Sequence, residues 1–167
     1  NPIGVYYAYW LKDWENSPKP LIKRAANIGF DILEVDANQL DNLNEKECIS
    51  LKEEAQKNNI QLNYCIGLDK DKNIASQNDE IRSNGIEYMK EIIKKVAVTG
   101  GQNLSGVIYG SWNIDFNSLP EGKEFYINKS IESLKEILPV AEKNNIILNV
   151  EVVNRFEQFL LNTANEA

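Results

Sequence analysis

Two glutamates near the C-terminal end of the chain have the side chains best suited to acid–base chemistry. Glu151 lies within the apolar run from Ile146 to Val153, and Glu157 follows in the polar loop after it. The run is rich in β-branched residues and comes after an Asn-Asn turn, so we predict a buried strand. A buried carboxylate is costly unless it is paired or holds a metal. Parallel α/β folds bind ligands at the C-terminal ends of strands, and we expect both carboxylates at one such mouth.

Strand and helix patterns alternate along the rest of the chain and must position these carboxylates. Short β-prone runs alternate with longer segments of helical periodicity, and Asn44 followed by Glu47 predicts a capped helix start. We expect Pro139 to kink or interrupt the last helix. The predicted strands are 3–10, 31–36, 60–66, 104–109 and 146–153, and the predicted helices are 21–28, 44–58, 79–98 and 123–143.

The predicted strands each have one apolar face and one mixed face. In the second strand, Leu33 and Val35 alternate with Glu34 and Asp36. An open doubly wound sheet is covered by helices on both sides and needs two apolar faces, whereas a barrel tolerates a polar interior near its catalytic mouth. The fold class predicted is therefore α/β of the (β/α)8 TIM-barrel type, with about five of the eight βα units in one domain over residues 1–167. An open doubly wound sheet is the alternative.

Composition excludes several classes of partner. The chain has 167 residues, of which 43% are apolar and 26% charged, and this predicts a packed globular domain. A net charge of -7 with scattered Lys and Arg argues against nucleic acid and favours a small ligand. No apolar stretch approaches the roughly 20 residues that span a bilayer, so we expect no membrane partner. Cys48 and Cys65 lack CxxC spacing, which favours reduced thiols in a cytoplasmic protein.

Five motifs carry a resemblance to a known family. They are Gly-Val-Tyr-Tyr-Ala-Tyr-Trp at 4–10, Gly-Phe-Asp-Ile-Leu-Glu-Val at 29–35, Trp-Asn-Ile-Asp at 112–115, Glu-Val-Val-Asn-Arg-Phe-Glu at 151–157 and Leu-Asn-Thr-Ala at 161–164. Together they resemble the ketose 3-epimerases, the D-tagatose and D-psicose (allulose) 3-epimerases of the xylose isomerase-like TIM barrels. The motif at 151–157 is the most specific of the five, and the resemblance extends over the whole chain.

The resemblance implies metal-dependent C3 epimerisation of free ketohexoses through a cis-enediolate. The expected cofactor is a divalent metal, Mn²⁺ first, with Co²⁺ or Mg²⁺ as alternatives. Glu151 matches a residue that is both a metal ligand and a catalytic acid/base. The family's other ligands, an aspartate, a histidine and a second glutamate, belong to later strands, and this chain contains no histidine. We therefore expect the N-terminal part of such an enzyme, without a complete metal site.

The resemblance also implies a set of sugar-binding residues. Glu157 matches a residue that hydrogen-bonds hydroxyls near C1 and C2, and Trp14 is a candidate wall over the far end of the sugar. The partners expected are a small ketose and a second copy of the chain in a homo-oligomer. The remaining matched positions that line or adjoin the sugar pocket are Tyr6, Cys65, Gly67, Ile108 and Trp112.

Structural interpretations of the same residues remain open from the sequence. Glu151 could pair with Arg155, Glu157 could be an exposed loop acid, and ion pairing is the first expectation for Glu34 and Asp36. An aldose–ketose isomerase would use the same barrel and first glutamate, with proton transfer between C1 and C2. A catalytically empty partial barrel, associating through an unpaired strand edge, is the non-enzymatic alternative.

Overall fold

Five parallel strands alternate with four helices in the computed structural model, which describes residues 1–12, 17–112 and 120–167. Short 3-10 turns follow three of the strands, at Tyr7–Trp10, Ala37–Leu40 and Lys70–Lys72. Trp14 and the predicted motif residues 113–115 lie outside the described residues. The elements are β1 Gly4–Tyr6, α1 Lys19–Ile28, β2 Ile32–Asp36, α2 Glu45–Lys57, β3 Gln61–Leu68, α3 Asp79–Val98, β4 Asn103–Ser111, α4 Lys123–Lys143 and β5 Ile147–Val150.

Each strand pairs in parallel with the next strand along the chain, so the sheet order is β1-β2-β3-β4-β5. A doubly wound sheet reverses its strand order at a switch point, whereas a TIM barrel adds strands in sequence order. The register aligns Asp36 with Cys65, Cys65 with Ser105, and Ser105 with Asn149. The prediction of a partial TIM-type barrel with five strands is confirmed.

The main core lies between the sheet and the helices that cover it. Leu33, Val35, Leu62, Tyr64 and Ile66 are each at most 3% exposed. They alternate along β2 and β3 with half-buried polar residues, as the predicted two-faced pattern requires. Burial of each such side chain stabilises the fold by about 1.5–3 kcal/mol. The apolar face therefore holds the helices and leaves the polar face for the barrel interior.

Local capping determines where α2 begins. Asn44 accepts a hydrogen bond from the Glu47 amide at 3.2 Å, and Glu47 accepts one from the Asn44 amide at 2.8 Å. This capping box confirms the predicted helix start. The predicted interruption at Pro139 is wrong, because α4 continues through it to Lys143. Pro139 lies on the exposed face of the helix, where water can bind the carbonyl that loses its backbone partner.

Both ends of the sheet differ from prediction. β1 ends at Tyr6 and the chain enters a 3-10 turn, which buries Tyr7 completely and leaves Tyr9 79% exposed. β5 ends at Val150 and pairs only with β4 among the described strands. Its residue Ile147 is 61% exposed, so the prediction of a buried fifth strand is wrong. A strand's burial depends on what covers its second edge and faces, and the strand's own sequence does not contain that information.

Among the described residues, no helix is both long enough and apolar enough to cross a membrane.

Candidate active site

A cavity of about 800 Å³ opens on the polar face of the sheet, toward the C-terminal ends of the strands. This volume lies within the range typical of small-molecule sites. Five residues predicted from sequence line it: Tyr6, Cys65, Gly67, Trp112 and Glu151. Six further polar residues line it that the predicted site did not include: Glu34, Asp36, Asn38, Asp69, Ser105 and Asn149. Alternation along the strands could have found most of these, since they share a face with the predicted residues.

Two predicted residues lie elsewhere. Ile108 is completely buried in the main core, and its neighbour Val107 lines the cavity. Adjacent residues of a strand face opposite sides, so one of the two must point away. Glu157 is half-buried in the loop after β5, where its amide donates a hydrogen bond to the Asn154 carbonyl at 3.0 Å. The structure does not bring Ile108 or Glu157 to the cavity wall.

The backbone holds Glu151 firmly while its carboxylate stays available. Its amide donates to the Gly106 carbonyl at 3.0 Å, which extends the β4–β5 ladder by one residue. Its own carbonyl accepts a hydrogen bond from the Tyr109 hydroxyl at 2.9 Å. The side chain is exposed, and no described residue pairs with its carboxylate. The predicted burial of Glu151 is therefore wrong.

The alternative of a Glu151–Arg155 ion pair is also not found. The Arg155 guanidinium lies 5.7 Å from the centre of the Phe156 ring, in a cation–π arrangement. Glu151 is thus a carboxylate without a structural partner among the described residues, at the mouth of a cavity. A carboxylate in this position can accept a proton from a bound ligand.

Glu34 and Asp36 form no ion pair with any described Lys or Arg, contrary to the first expectation. Burial raises the pKa of Glu34, and the nearby charge of Glu151 raises it further. Burial likewise raises the pKa of Asp36, although hydrogen bonds from Asn38 oppose the shift. The described cavity wall holds four carboxylates, Glu34, Asp36, Asp69 and Glu151, and no cationic side chain. Its field therefore disfavours anions.

Cys65 is a neutral thiol in this environment. Burial raises its pKa to about 12, and the negative charges of Glu34, Asp36 and Glu151 add to that effect. A hydrogen bond with Tyr6 opposes the shift without cancelling it. A reactive cysteine needs the opposite environment, with cationic neighbours that stabilise the thiolate. Cys65 therefore contributes shape and a weak polar contact, as its position beside the matched pocket residues implied.

Trp112 is held against β3 at the cavity wall. Its amide donates to the Leu68 carbonyl at 2.8 Å. A Cβ added to Gly67 would lie 3.4 Å from the Trp112 Cβ and Cε3 atoms, so glycine lets the indole approach the strand closely. The predicted pair Gly67 and Trp112 thus forms one continuous piece of the wall.

Two residues that sequence reasoning missed tie the loops together behind this wall. Asn73 accepts a hydrogen bond from the Ser111 amide at 3.2 Å. Gln158 is completely buried and donates from Nε2 to the Ser111 carbonyl at 2.8 Å. Its Oε1 accepts from the amides of Phe159 and Leu160 at 2.7 and 3.2 Å. The loop after β5, which carries Glu157, is therefore fastened to the end of β4, directly before Trp112.

The described residues do not by themselves fit a divalent metal site. No group of three or more His, Cys, Asp or Glu side chains in 1–12, 17–112 and 120–167 is arranged to hold an ion. Zinc sites, for comparison, take three or four protein ligands. Glu151 is the one residue that the resemblance matches to a ligand.

The family model of the xylose isomerase-like TIM barrels matches residues 22–167 of this chain. The chain belongs to this family. Among curated relatives, D-psicose 3-epimerase of Ruminiclostridium cellulolyticum is 34% identical over 163 residues, covering 98% of this chain and 55% of the relative. D-psicose 3-epimerase of Agrobacterium fabrum is 33% identical over 163 residues, covering 98% of this chain and 56% of that protein.

Solved structures that superpose on this chain are also epimerases. The structure of D-psicose 3-epimerase with D-tagatose from Clostridium cellulolyticum superposes with a TM-score of 0.95 at 34% identity, over 99% of this chain and 57% of that one. An L-ribulose 3-epimerase structure gives a TM-score of 0.83 at 25% identity, over 99% of this chain and 54% of that one. The chain spans about half the length of the relatives it matches.

Proposed function

We propose that this protein is a ketose 3-epimerase and that the described chain supplies the β1–β5 side of its active site. The substrates proposed are free ketohexoses, in the pairs D-fructose/D-psicose and D-tagatose/D-sorbose. The observation that carries the proposal is the unpaired carboxylate of Glu151, which lines a cavity in a chain 34% identical to a D-psicose 3-epimerase. A homo-oligomer in the cytoplasm is part of the proposal.

The charge of the cavity supports a free sugar rather than a sugar phosphate. Four carboxylates and no cationic side chain line its described wall. A phosphate dianion would meet like charge there, and the described residues of the wall include no Lys or Arg to bind it. A neutral polyol instead offers hydroxyl donors to carboxylates, which act only as acceptors when ionised.

The chemistry assigned to Glu151 is proton transfer at C3. The carbon next to the ketose carbonyl loses its proton to the Glu151 carboxylate, and the electron pair of the broken C–H bond moves toward O2 to give a cis-enediolate. Return of a proton to the opposite face of C3 inverts that centre, and the resemblance assigns this step to a second glutamate on a later strand. Cys65 is unsuited to either role, because a thiol with a pKa of about 12 holds its proton too tightly at neutral pH.

Dependence on a divalent metal, Mn²⁺ first, also belongs to the proposal. Such an ion polarises a carbonyl and stabilises the developing negative charge when bound. The described residues do not complete a set of ligands for such an ion, and the proton of C3 is transferred by side chains of the protein.

The test is an epimerisation assay with D-fructose and with D-tagatose, in Mn²⁺ and in EDTA, with products separated by chromatography. It is run on the chain alone and on the chain joined to the C-terminal part of a relative, because the resemblance places the second acid and the other metal ligands on later strands. We expect the C3 epimer to form in the joined protein, and Glu151→Gln to reduce its rate by about 10²–10⁴-fold, the usual contribution of a general acid or base. Glu142→Gln is the matched control, because Glu142 is exposed on α4 away from the cavity. Epimer formation unaffected by Glu151→Gln would refute the role of Glu151. An aldose product would establish the isomerase alternative instead.

A second candidate, a catalytically empty partial barrel, is favoured by the exposed edge of β5 and the absence of a metal-ligand group among the described residues. Joining residues 1–167 to the remaining C-terminal part of the Ruminiclostridium cellulolyticum relative separates the two. Epimerisation by the fused protein that depends on Glu151 supports the proposed function. A folded but inactive fusion, with concentration-dependent sedimentation of the chain alone, supports the empty barrel.

A further inference from the structure

The carboxylate of Asp36 faces the cavity and is held by hydrogen bonds to only one of its two oxygens. It lies at the last position of β2 and lines the cavity wall. Its Oδ1 accepts hydrogen bonds from the Asn38 amide at 3.0 Å and from Asn38 Nδ2 at 2.9 Å. No described residue donates a hydrogen bond to its Oδ2 atom. One oxygen therefore anchors the side chain, and the other remains free to accept.

Asn38, which fixes the Asp36 side chain, is in turn held by a residue of α3. Asn38 Oδ1 accepts a hydrogen bond from the Tyr88 hydroxyl at 2.8 Å, and Tyr88 lies on α3. The Lys72 ammonium sits over the Tyr88 ring, 3.9 Å from its centre. A carboxylate positioned through two layers of contacts loses little conformational entropy when a ligand binds, so each hydrogen bond to it contributes more to affinity.

Asp36 lies across the mouth from Glu151. In register, Asp36 aligns with Cys65, Cys65 with Ser105, and Ser105 with Asn149, two residues before Glu151. Three strand spacings of about 4.8 Å each therefore separate β2 from β5 along the curved sheet. Asp36 and Glu151 both line the cavity, so a ligand that spans it from β5 to β2 can contact both carboxylates.

We propose that Asp36 is a specificity-determining residue, whose Oδ2 accepts a hydrogen bond from the terminal C6 hydroxyl of the ketose and whose charge rejects a phosphate ester there. The inference rests on the proposed function, because it takes the reacting end of the sugar to lie at Glu151.

Binding measured without turnover tests this. The chain is titrated with D-fructose, 1-deoxy-D-fructose, 6-deoxy-D-fructose and D-fructose 6-phosphate while the amide resonance of Gly67, in the cavity wall, is followed by NMR. The variant is Asp36→Asn, which can keep an oxygen on Asn38 and so preserve the anchor, but turns an NH2 donor toward the ligand. The matched control is Asp71→Asn, an exposed carboxylate outside the cavity wall. Thermal melts confirm that both variants remain folded.

The wild-type chain should bind 6-deoxy-D-fructose about 10-fold more weakly than D-fructose, since a hydrogen bond to a charged group is lost. In Asp36→Asn that difference should fall below about 2-fold, and binding of the 6-phosphate should improve relative to D-fructose. Any penalty for 1-deoxy-D-fructose should be the same in wild type, Asp36→Asn and Asp71→Asn.

Equal discrimination against the 6-deoxy sugar in wild type and Asp36→Asn would overturn the inference and leave the proposed function intact. Binding of the sugars with the expected Asp36 dependence, but no epimerisation in the assay above, would sustain the recognition role and count against the catalytic one. Failure of the wild-type chain to bind any of the four probes would overturn both.

Discussion

Replacing the buried amide of Gln158 should destabilise the protein much more than replacing an exposed glutamine. Gln158 is completely buried and its side chain makes three hydrogen bonds, to the Ser111 carbonyl and to the amides of Phe159 and Leu160. In Gln158→Ala all three partners lose that contact. Ser111 and Leu160 are each 1% exposed, so water reaches them only if the loop opens.

The magnitude follows from the number of groups left unsatisfied. Each buried donor or acceptor without a partner costs about 1–3 kcal/mol. With two fully buried groups and one half-buried group affected, and some relaxation around the shortened side chain, we expect a loss of about 2–5 kcal/mol in the free energy of unfolding. Gln158→Glu should cost at least as much, because it turns a carboxylate oxygen toward the Ser111 carbonyl oxygen.

The assay is equilibrium unfolding in urea followed by circular dichroism, on wild type, both Gln158 variants and Gln102→Ala. Gln102 is exposed, and its replacement should change stability by less than about 0.5 kcal/mol. Tryptophan fluorescence should also shift in Gln158→Ala, since the amide holds the end of β4 next to Trp112. A Gln158→Ala protein as stable as the Gln102→Ala control would refute the reasoning.

Two further predictions concern the strands. Burial and the charge of Glu151 raise the pKa of Glu34, so the folded state binds the carboxyl proton of Glu34 more tightly than the unfolded state does. Protonated Glu34 therefore stabilises the fold below its ordinary pKa of 4.5, and this contribution is lost as the pH rises through the folded-state pKa. Glu34→Gln should therefore have a higher melting temperature than wild type at pH 7, and the two melting temperatures should converge below pH 4.5. A higher melting temperature of the variant at acid pH alone would contradict the upward pKa shift of Glu34. Gly106→Ala should cost about 3 kcal/mol or more in urea unfolding, because Gly106 has φ +115 and an added Cβ would lie 2.3 Å from the Ile66 carbonyl oxygen. Gly122→Ala, with no atom within 4 Å of the added Cβ, should stay within about 1 kcal/mol of wild type, and equal losses in both variants would exclude strain as the cause.

The predictions from the capping pattern and from strand alternation were confirmed, whereas the local signals at Pro139 and along 7–10 misled. The capping box at Asn44 and Glu47 involves residues three apart, and sequence shows it directly. Alternation along β2 and β3 placed Leu33 and Val35 in the core and Glu34 and Asp36 on the opposite face. The alternation of side chains between the two faces follows from the geometry of the strand backbone, so it can be predicted without knowledge of the tertiary structure.

Predictions that depended on distant neighbours failed or were missed. Glu151 was expected to be buried and is exposed, because the covering of β5 is decided outside its own sequence. Ser111 contacts Asn73 and Gln158, which are 38 and 47 positions away along the chain, and no short sequence pattern predicts such pairs. Ile108 came from the resemblance, while the structure places Val107 at the cavity wall.

The alternation of strands and helices, the polar face of β2 and β3, and the family resemblance of the motif at Glu151 can all be predicted from the order of residues. Three features required the folded chain: which polar side chains meet in one cavity, which of them have partners, and which oxygen of Asp36 has no donor among the described residues. Secondary structure and facing depend on neighbours along the chain, whereas burial, charge and hydrogen bonding depend on neighbours in space.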